Sequence, residues 1–543
     1  MALGTLKPIL MEESPQIDIP RVDGAPGRRS RTSYLILCGV VLLMGAGYIL
    51  YSQTWAFAWD EGFHILTAQL IKDGRLPYID FFFPQTPLNA FWNAAWMRMF
   101  GDSWRIVHIV AAVEAIAAVF LTADFVYRHL PVPRWRLAAS LLVAVLIGAN
   151  IQVLQYGPLG QGYALALFLS VAAFRLTVWA VGVRNPLAAA TAGMVAGAAA
   201  GATLLAAPYA PVLLLWLIVY NRSGLRWTKA VTFMLGAALA WLPMLWLFLR
   251  SPRVVRFNIF DYHMRYREVD WSDAIPHDID VLTSWLESSQ ALVLGLLAIA
   301  GLAYVISIAR RGPHAYATSI GATGNESGGY LPNVAWDRAR RAELYLCAWL
   351  TLAETIHISR AHPTFARYFL LVVAPLSILS VTGLYVVGSR LGRPDRPWWA
   401  VAPTMLLVVL AVARATYDER DTMHWSDLVK ITNKIKEVTP PGATLLADES
   451  IYFLTNRIPP EGLEHRDSHK LKLDTGFAKM LHVISKAELK KRVASRMFAT
   501  VQSCDDDEMT DLGLDDLYEH NAEFDDCKVF WGLKGSETKS TAK

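Results

Sequence analysis

Apolar residues along this chain come in long blocks separated by short polar turns, not in the two-residue alternation of a half-buried strand. From Tyr34 to about Ala415 the blocks recur at a length of roughly 20 residues, enough for a helix to cross about 30 Å of hydrocarbon. The pattern predicts a polytopic α-helical membrane protein with about eleven transmembrane helices. Pro208 and Pro211 interrupt the pair between Pro186 and Tyr220, which can also be read as a single broken element. A polar tail, 1–33, precedes the first block, so that block does not sit where a cleavable signal peptide has its apolar core and is expected to stay as an anchor. The transmembrane domain is thus predicted over 34–415.

From Thr416 the blocks stop and a soluble α/β pattern begins, long enough for a small domain over 416–543. It predicts a helix from His424 to Val438, a β-type run from Ala443 to Leu446, a charged helix near Lys486 to Arg496 and a β-type run from Met497 to Val501. An acidic stretch follows from Asp505 to Asp526.

Composition agrees with a membrane protein: 54% of residues are hydrophobic and the mean hydropathy is +0.30. The net charge of +4 gives no ground for a nucleic-acid partner; the positions of the basic residues are more informative. Placing the N-terminal tail in the cytoplasm puts Arg128/Arg134/Arg136, Arg222/Arg226/Lys229, Arg310/Arg311 with Arg338/Arg340/Arg341, and Arg390/Arg393/Arg396 inside as well. The intervening turns at Gly157 to Gly162 and Ala206 to Tyr209 carry no Lys or Arg, as outer turns should not. Three unusual segments then fall outside: 54–104, 251–288 and the turn from His357 to Arg367, together with the C-terminal domain. A multi-pass protein of the cell membrane results, with a cytoplasmic N-terminus. Of the four cysteines, Cys504 and Cys527 lie in the external domain, where they can pair or stay reduced.

Candidate chemistry begins just past the first span, at Trp59-Asp60-Glu61-Gly62-Phe63-His64. Two adjacent carboxylates beside hydrocarbon are costly. Asp60 can cap a short interfacial helix with Glu61 in its first turn, and either carboxylate can also act as a general base toward an acceptor hydroxyl. A Phe- and Trp-rich amphipathic stretch from Leu88 to Phe100 would make, with the first, a pair of interfacial helices roofing a membrane cavity.

The order Asp60-Glu61-Gly62, a helix, Gly74-Arg75-Leu76-Pro77-Tyr78-Ile79-Asp80, the turn Phe83-Pro84-Gln85-Thr86-Pro87-Leu88 and a Trp-rich second helix resembles the GT-C glycosyltransferases. The resemblance is to the protein O-mannosyltransferase and aminoarabinose transferase (ArnT-like) branch. It extends to the multi-span core, to His362-Pro363-Thr364-Phe365-Ala366-Arg367-Tyr368 and to Ala447-Asp448-Glu449-Ser450-Ile451-Tyr452 in the last domain. It implies a polyprenyl-phosphate sugar donor reached from the outer leaflet, inversion at the sugar C1, and Asp60 in the place of the catalytic carboxylate, with Tyr78 in the adjoining turn. Gln85 stands where aminoarabinose transferases carry a phosphate-holding lysine, and Gln155-Tyr156-Gly157-Pro158-Leu159 lacks a second acidic residue that some relatives have. The sugar and the acceptor, whether protein, lipid or glycan, therefore stay open.

A leaving phosphate requires cations where its charge develops. Arg253, Arg256, Arg265 and Arg267 cluster on an outer segment, although Asp261, Glu268, Asp270 and Asp273 can neutralise them. Arg367, with Arg360 and His362, lies in a short turn directly before an apolar span, and arginine can hold phosphate bidentately. Glu354 and His357 sit three apart on the preceding helix and can line the same cavity or satisfy each other. No cofactor is predicted. A divalent metal is possible if Asp60, Glu61, His64, Glu354 and His357 converge, but their spacing is not that of a zinc site. The alternative function is a lipid-linked oligosaccharide flippase or another transporter, against which the long amphipathic loop and the external domain argue.

Overall fold

The computed structural model describes residues 28–266, 274–311, 338–391, 396–418 and 422–535. Most of these are helical, and among them six helices are long and apolar enough to cross a membrane: Arg31–Thr54, Trp104–His129, Tyr163–Gly182, Gln290–Ala309, Ala366–Arg390 and Trp398–Asp418. A seventh arises if Arg226–Ala240 and Leu242–Arg250, bent by 54° at their junction, are one span. The other segments expected to cross are shorter, as in Arg136–Gly148, Pro186–Ala202 and Tyr209–Tyr220, or carry more charge, as in Arg338–Ser359. The break expected near Pro208 falls at Thr203, where a single 3-10 turn, Leu204–Ala206, separates the two pieces.

Small residues let these helices approach closely, because lipid offers no hydrophobic drive and association depends on contact. A Cβ on Gly383 would lie 1.8 Å from the carbonyl oxygen of Leu297 in the facing helix, and one on Gly193 would lie 1.9 Å from that of Phe233. Pro375 interrupts the hydrogen-bond ladder of the helix Leu370–Arg390 by removing the donor for Leu371. The Tyr209 hydroxyl donates to that orphaned carbonyl at 3.0 Å.

Polar contacts gather in two groups. In one, Asp124 receives Tyr34, Arg128 and Arg175, Glu343 meets His129 and Arg340, and the Lys229 ammonium donates to the carbonyls of Ala180 and Val183. In the other, the segments expected outside meet one another. Asn89 and Asn93 both donate to the carbonyl of Gly160 at 2.8 Å, and the amide of Phe83 donates to Asn258 at 3.0 Å.

In the segment 54–104 the two expected helices form as Glu61–Lys72 and Leu88–Phe100. The turn between them is tightly held: the Tyr78 hydroxyl donates to the Gln85 carbonyl at 2.5 Å, and the Leu76 amide donates to Asp80 at 2.7 Å. The C-terminal segment builds a four-stranded sheet in the order β1-β2-β4-β3. Its strands are β1 (Leu445–Leu446), β2 (Thr500–Ser503), β3 (Tyr518–Phe524) and β4 (Cys527–Leu533). β1 runs parallel to β2, while β4 is antiparallel to both β2 and β3. Helices Trp425–Val438 and Lys486–Ala494 flank it near the expected positions. Cys504 and Cys527 form a disulfide that ties the end of β2 to the start of β4.

The first loop and the C-terminal segment share a single apolar core. Ile65, Leu66, Phe81 and Phe82 pack in one cluster with Trp425, Leu428, Ile451 and Tyr452. A Cβ on Gly62 would press against Ser450, so the first turn of the loop helix rests directly on the helix Glu449–Thr455.

Candidate active site

Glu61 is the fastening point. It is wholly buried, and three donors surround it: His108 Nε2 at 2.7 Å, the Gly160 amide at 2.6 Å and the Trp425 indole at 3.0 Å. The other His108 nitrogen lies 2.6 Å from the Ser52 carbonyl oxygen. The His108 ring is thus held between the Glu61 carboxylate and the Ser52 carbonyl. Four separate parts of the chain meet on this carboxylate. The expectation that Glu61 is a second catalytic candidate is therefore corrected: both its oxygens are spoken for and neither faces open space.

Asp60, one residue earlier, points the opposite way. It occupies the N-cap position of Glu61–Lys72, yet its side chain caps no backbone amide. About half of that side chain is exposed, and its Oδ2 accepts from Arg367 Nη2 at 2.5 Å. The capping reading of Asp60 is thus replaced by an ion pair bridging 307 residues of sequence. Arg367 is held among aromatic rings, its guanidinium 4.4 Å from the Phe365 centroid and 5.9 Å from those of Tyr156 and Tyr368. Tyr163 also lies within its reach. The Arg367 Nε is buried and has no hydrogen-bond partner.

Two histidines that sequence reasoning did not single out as ligands of substrate border this pair. His64 and His465 stack on opposite sides of Phe63, with centroid distances of 4.1 and 5.0 Å. The Nδ1 atoms of both are buried without a hydrogen-bond partner. Burial, reinforced by the nearby His465 and Arg367, lowers His64 to about 3, and burial also lowers His465, so both rings are neutral near pH 7. Glu449 approaches His465 to 3.7 Å; burial, with Asp448 beside it, raises Glu449 to about 7. Spacing could not have revealed His465, because only the docking of the C-terminal segment brings it to the first loop.

The remaining expected site residues disperse. Tyr78 is fully buried and its hydroxyl is consumed by the Gln85 carbonyl, so it shapes the turn and does not face a substrate. His362 turns toward Asp278, which also accepts the Thr364 amide at 2.6 Å; together they pin the turn to the helix Ala274–Glu287. Arg360 is exposed. Glu354 and His357 do not satisfy each other: His357 meets the Leu204 carbonyl at 3.2 Å, whereas Glu354 is buried with neither oxygen hydrogen-bonded. Arg267 lies outside the described residues, as does the side chain of Arg265. Among the described residues no group of three or more His, Cys, Asp or Glu is placed to hold a metal ion, so the convergence on which a metal depended does not occur there. An open groove of about 580 Å³ runs between the first-loop turn and the C-terminal domain, lined by Arg75, Asp80, Glu461, Glu464 and His482; Asp60 is not part of its wall.

A helical bundle whose first loop folds into two helices beside a C-terminal α/β unit is a fold this chain shares with solved ArnT structures. A crystal structure of ArnT from Cupriavidus metallidurans bound to undecaprenyl phosphate superposes with a TM-score of 0.58 and 13% identity, covering 92% of this chain and 97% of that one. The apo state of the same protein gives a TM-score of 0.57 and 12% identity over 92% and 98% of the two chains. No protein-family model matches the sequence, and neither does any curated protein. At this identity the likeness is one of fold.

Proposed function

We propose that this chain is a membrane glycosyltransferase that moves a sugar from a polyprenyl-phosphate donor to a hydroxyl on an acceptor at the extracytoplasmic face. The observation that carries the proposal is the meeting of Asp60 and Arg367, a half-exposed carboxylate and an aromatic-walled cation, where three outer segments converge. In the reaction the acceptor oxygen attacks C1 of the sugar and its proton passes to Asp60. The bond from C1 to the phosphate oxygen breaks, the electron pair stays with that oxygen, and Arg367 stabilises the charge that appears there. A single displacement inverts C1. Glu61 positions Asp60 by fixing the residue next to it to three other parts of the chain. The undecaprenyl phosphate bound to ArnT supports a polyprenyl-linked donor. The Cys504–Cys527 disulfide supports an oxidising compartment for the C-terminal domain; the basic residues of the N-terminal tail favour a cytoplasmic N-terminus in the cell membrane.

The test is release of polyprenyl phosphate from a panel of polyprenyl-phosphate sugars by purified protein, with cell-envelope extract supplying acceptor. Wild type is expected to turn over one donor. Asp60→Asn should lose on the order of 10²- to 10⁴-fold in rate, and Arg367→Ala a loss on the order of 10²- to 10³-fold. An Asp60→Asn variant as active as wild type overturns the assignment of the base. Turnover of no donor overturns the reaction itself.

A further inference from the structure

The proposed base and the proposed phosphate holder are bonded to each other. A guanidinium presents its Nε and Nη2 hydrogens side by side, the edge that grips two oxygens of one anion. Here Nη2 is taken by Asp60, while Nε on the same edge is buried without a partner. The carboxylate uses half of the fork and leaves a buried donor unmet, a costly arrangement. A tetrahedral anion with two free oxygens would fill both positions.

We infer that the donor's phosphate takes the Nε–Nη2 edge of Arg367 and displaces Asp60, so that donor binding itself releases the base. This rests on the reading of Asp60 and Arg367 given above and adds the coupling between them. Without donor, Asp60 Oδ2 is occupied by the guanidinium and the carboxylate is held against Arg367. With donor, the phosphate neutralises Arg367, and Asp60 swings free with its negative charge intact. No bond or proton changes hands in the exchange. Chemistry is thereby gated: an acceptor hydroxyl, or water, meets an active base only when a sugar phosphate is already seated. Phosphate and carboxylate compete for a single donor atom, so Asp60 weakens the affinity of the site for the ligand it serves.

The competition has a signature that an ordinary binding residue lacks, since removing the charge of Asp60 must tighten phosphate binding. Equilibrium binding of undecaprenyl phosphate, and separately of inorganic phosphate, would be measured on the full-length protein in detergent by intrinsic tryptophan fluorescence. Asp60→Asn and Asp60→Ala are expected to bind about tenfold tighter than wild type, equivalent to about 1.4 kcal/mol, while losing transfer. Arg367→Ala should bind at least tenfold more weakly, and in the Asp60→Asn/Arg367→Ala double variant the gain should vanish. A gain with both probes assigns the exchange to the phosphate group alone, and a gain confined to the lipid assigns it to the anchored headgroup; either supports the coupling. If wild type binds undecaprenyl phosphate and both Asp60 variants bind it no tighter, the exchange is overturned while the donor class stands. Should wild type bind neither probe, the donor class falls too.

Discussion

Neighbouring carboxylates in this chain have opposite fates, and the cause is geometry within one helical turn. Asp60 precedes the helix Glu61–Lys72 and faces outward; Glu61 begins it and faces the junction of four chain segments. The same contrast separates Asp448, paired with Arg466, from Glu449, whose burial raises it to about 7. Glu449 holds its proton more tightly folded than unfolded, so its contribution to stability is complete below about 4.5 and is lost as pH rises through about 7. In Glu449→Gln the melting temperature should consequently fall less than in wild type between those two values, as followed by thermal unfolding across a pH series. Parallel profiles for the two proteins would remove Glu449 from the account. Residue identities at the site were partly legible in the sequence: Asp60 and Arg367 stand out as charges at the ends of apolar runs. Glu61 was not separable from Asp60, because sequence adjacency says nothing about which carboxylate meets His108 and Trp425. His465 was invisible for the same reason.

At the level of elements, helix pairs in the bundle are set by where side chains are missing. Gly383 and Gly301 face each other across two helices whose backbones nearly touch. Gly383→Ala forces a methyl into the Leu297 carbonyl, with a cost expected at about 1–3 kcal/mol, seen as a lower melting temperature in detergent. Gly295→Ala, on the facing helix Ser289–Arg311 with open space around it, should be near neutral and serves as the control. Apolar blocks made the long spans easy to locate, and the Trp-rich run gave the second loop helix as Leu88–Phe100. The hairpin of β3 and β4 escaped notice because its first strand is mostly exposed and acidic, with Glu519 and Glu523 on open positions, so the apolar alternation of a buried strand is absent.

For the molecule as a whole, the shared core of first loop and C-terminal domain matters more than either part. That domain is stiffened by the Cys504–Cys527 link, which closes a 23-residue separation and is expected to contribute about 3 kcal/mol. Cys504→Ser should lower the melting temperature of the full-length protein, and wild type treated with dithiothreitol should fall to the same value. A variant that melts with untreated wild type would show that the sheet holds without the link. The alternation of basic and uncharged turns gives an expectation about which segments share an end of the bundle, because charge obeys a rule about sides. What packs against what at that end follows from shape, which no such rule encodes.

Trp425 reaches Glu61 across 364 residues, and that distance has a meaning in time. A ribosome has finished every membrane-spanning helix among the described residues before it makes the indole that closes the first loop. The pair Asp60–Arg367 needs a turn made late, and its neighbour His465 is made later still. The bundle can therefore enter the bilayer helix by helix while the corner around Glu61 stays open. A chain ending before residue 425 lacks the indole that meets Glu61, so the contact between first loop and C-terminal segment forms only after the described membrane-spanning helices have been made.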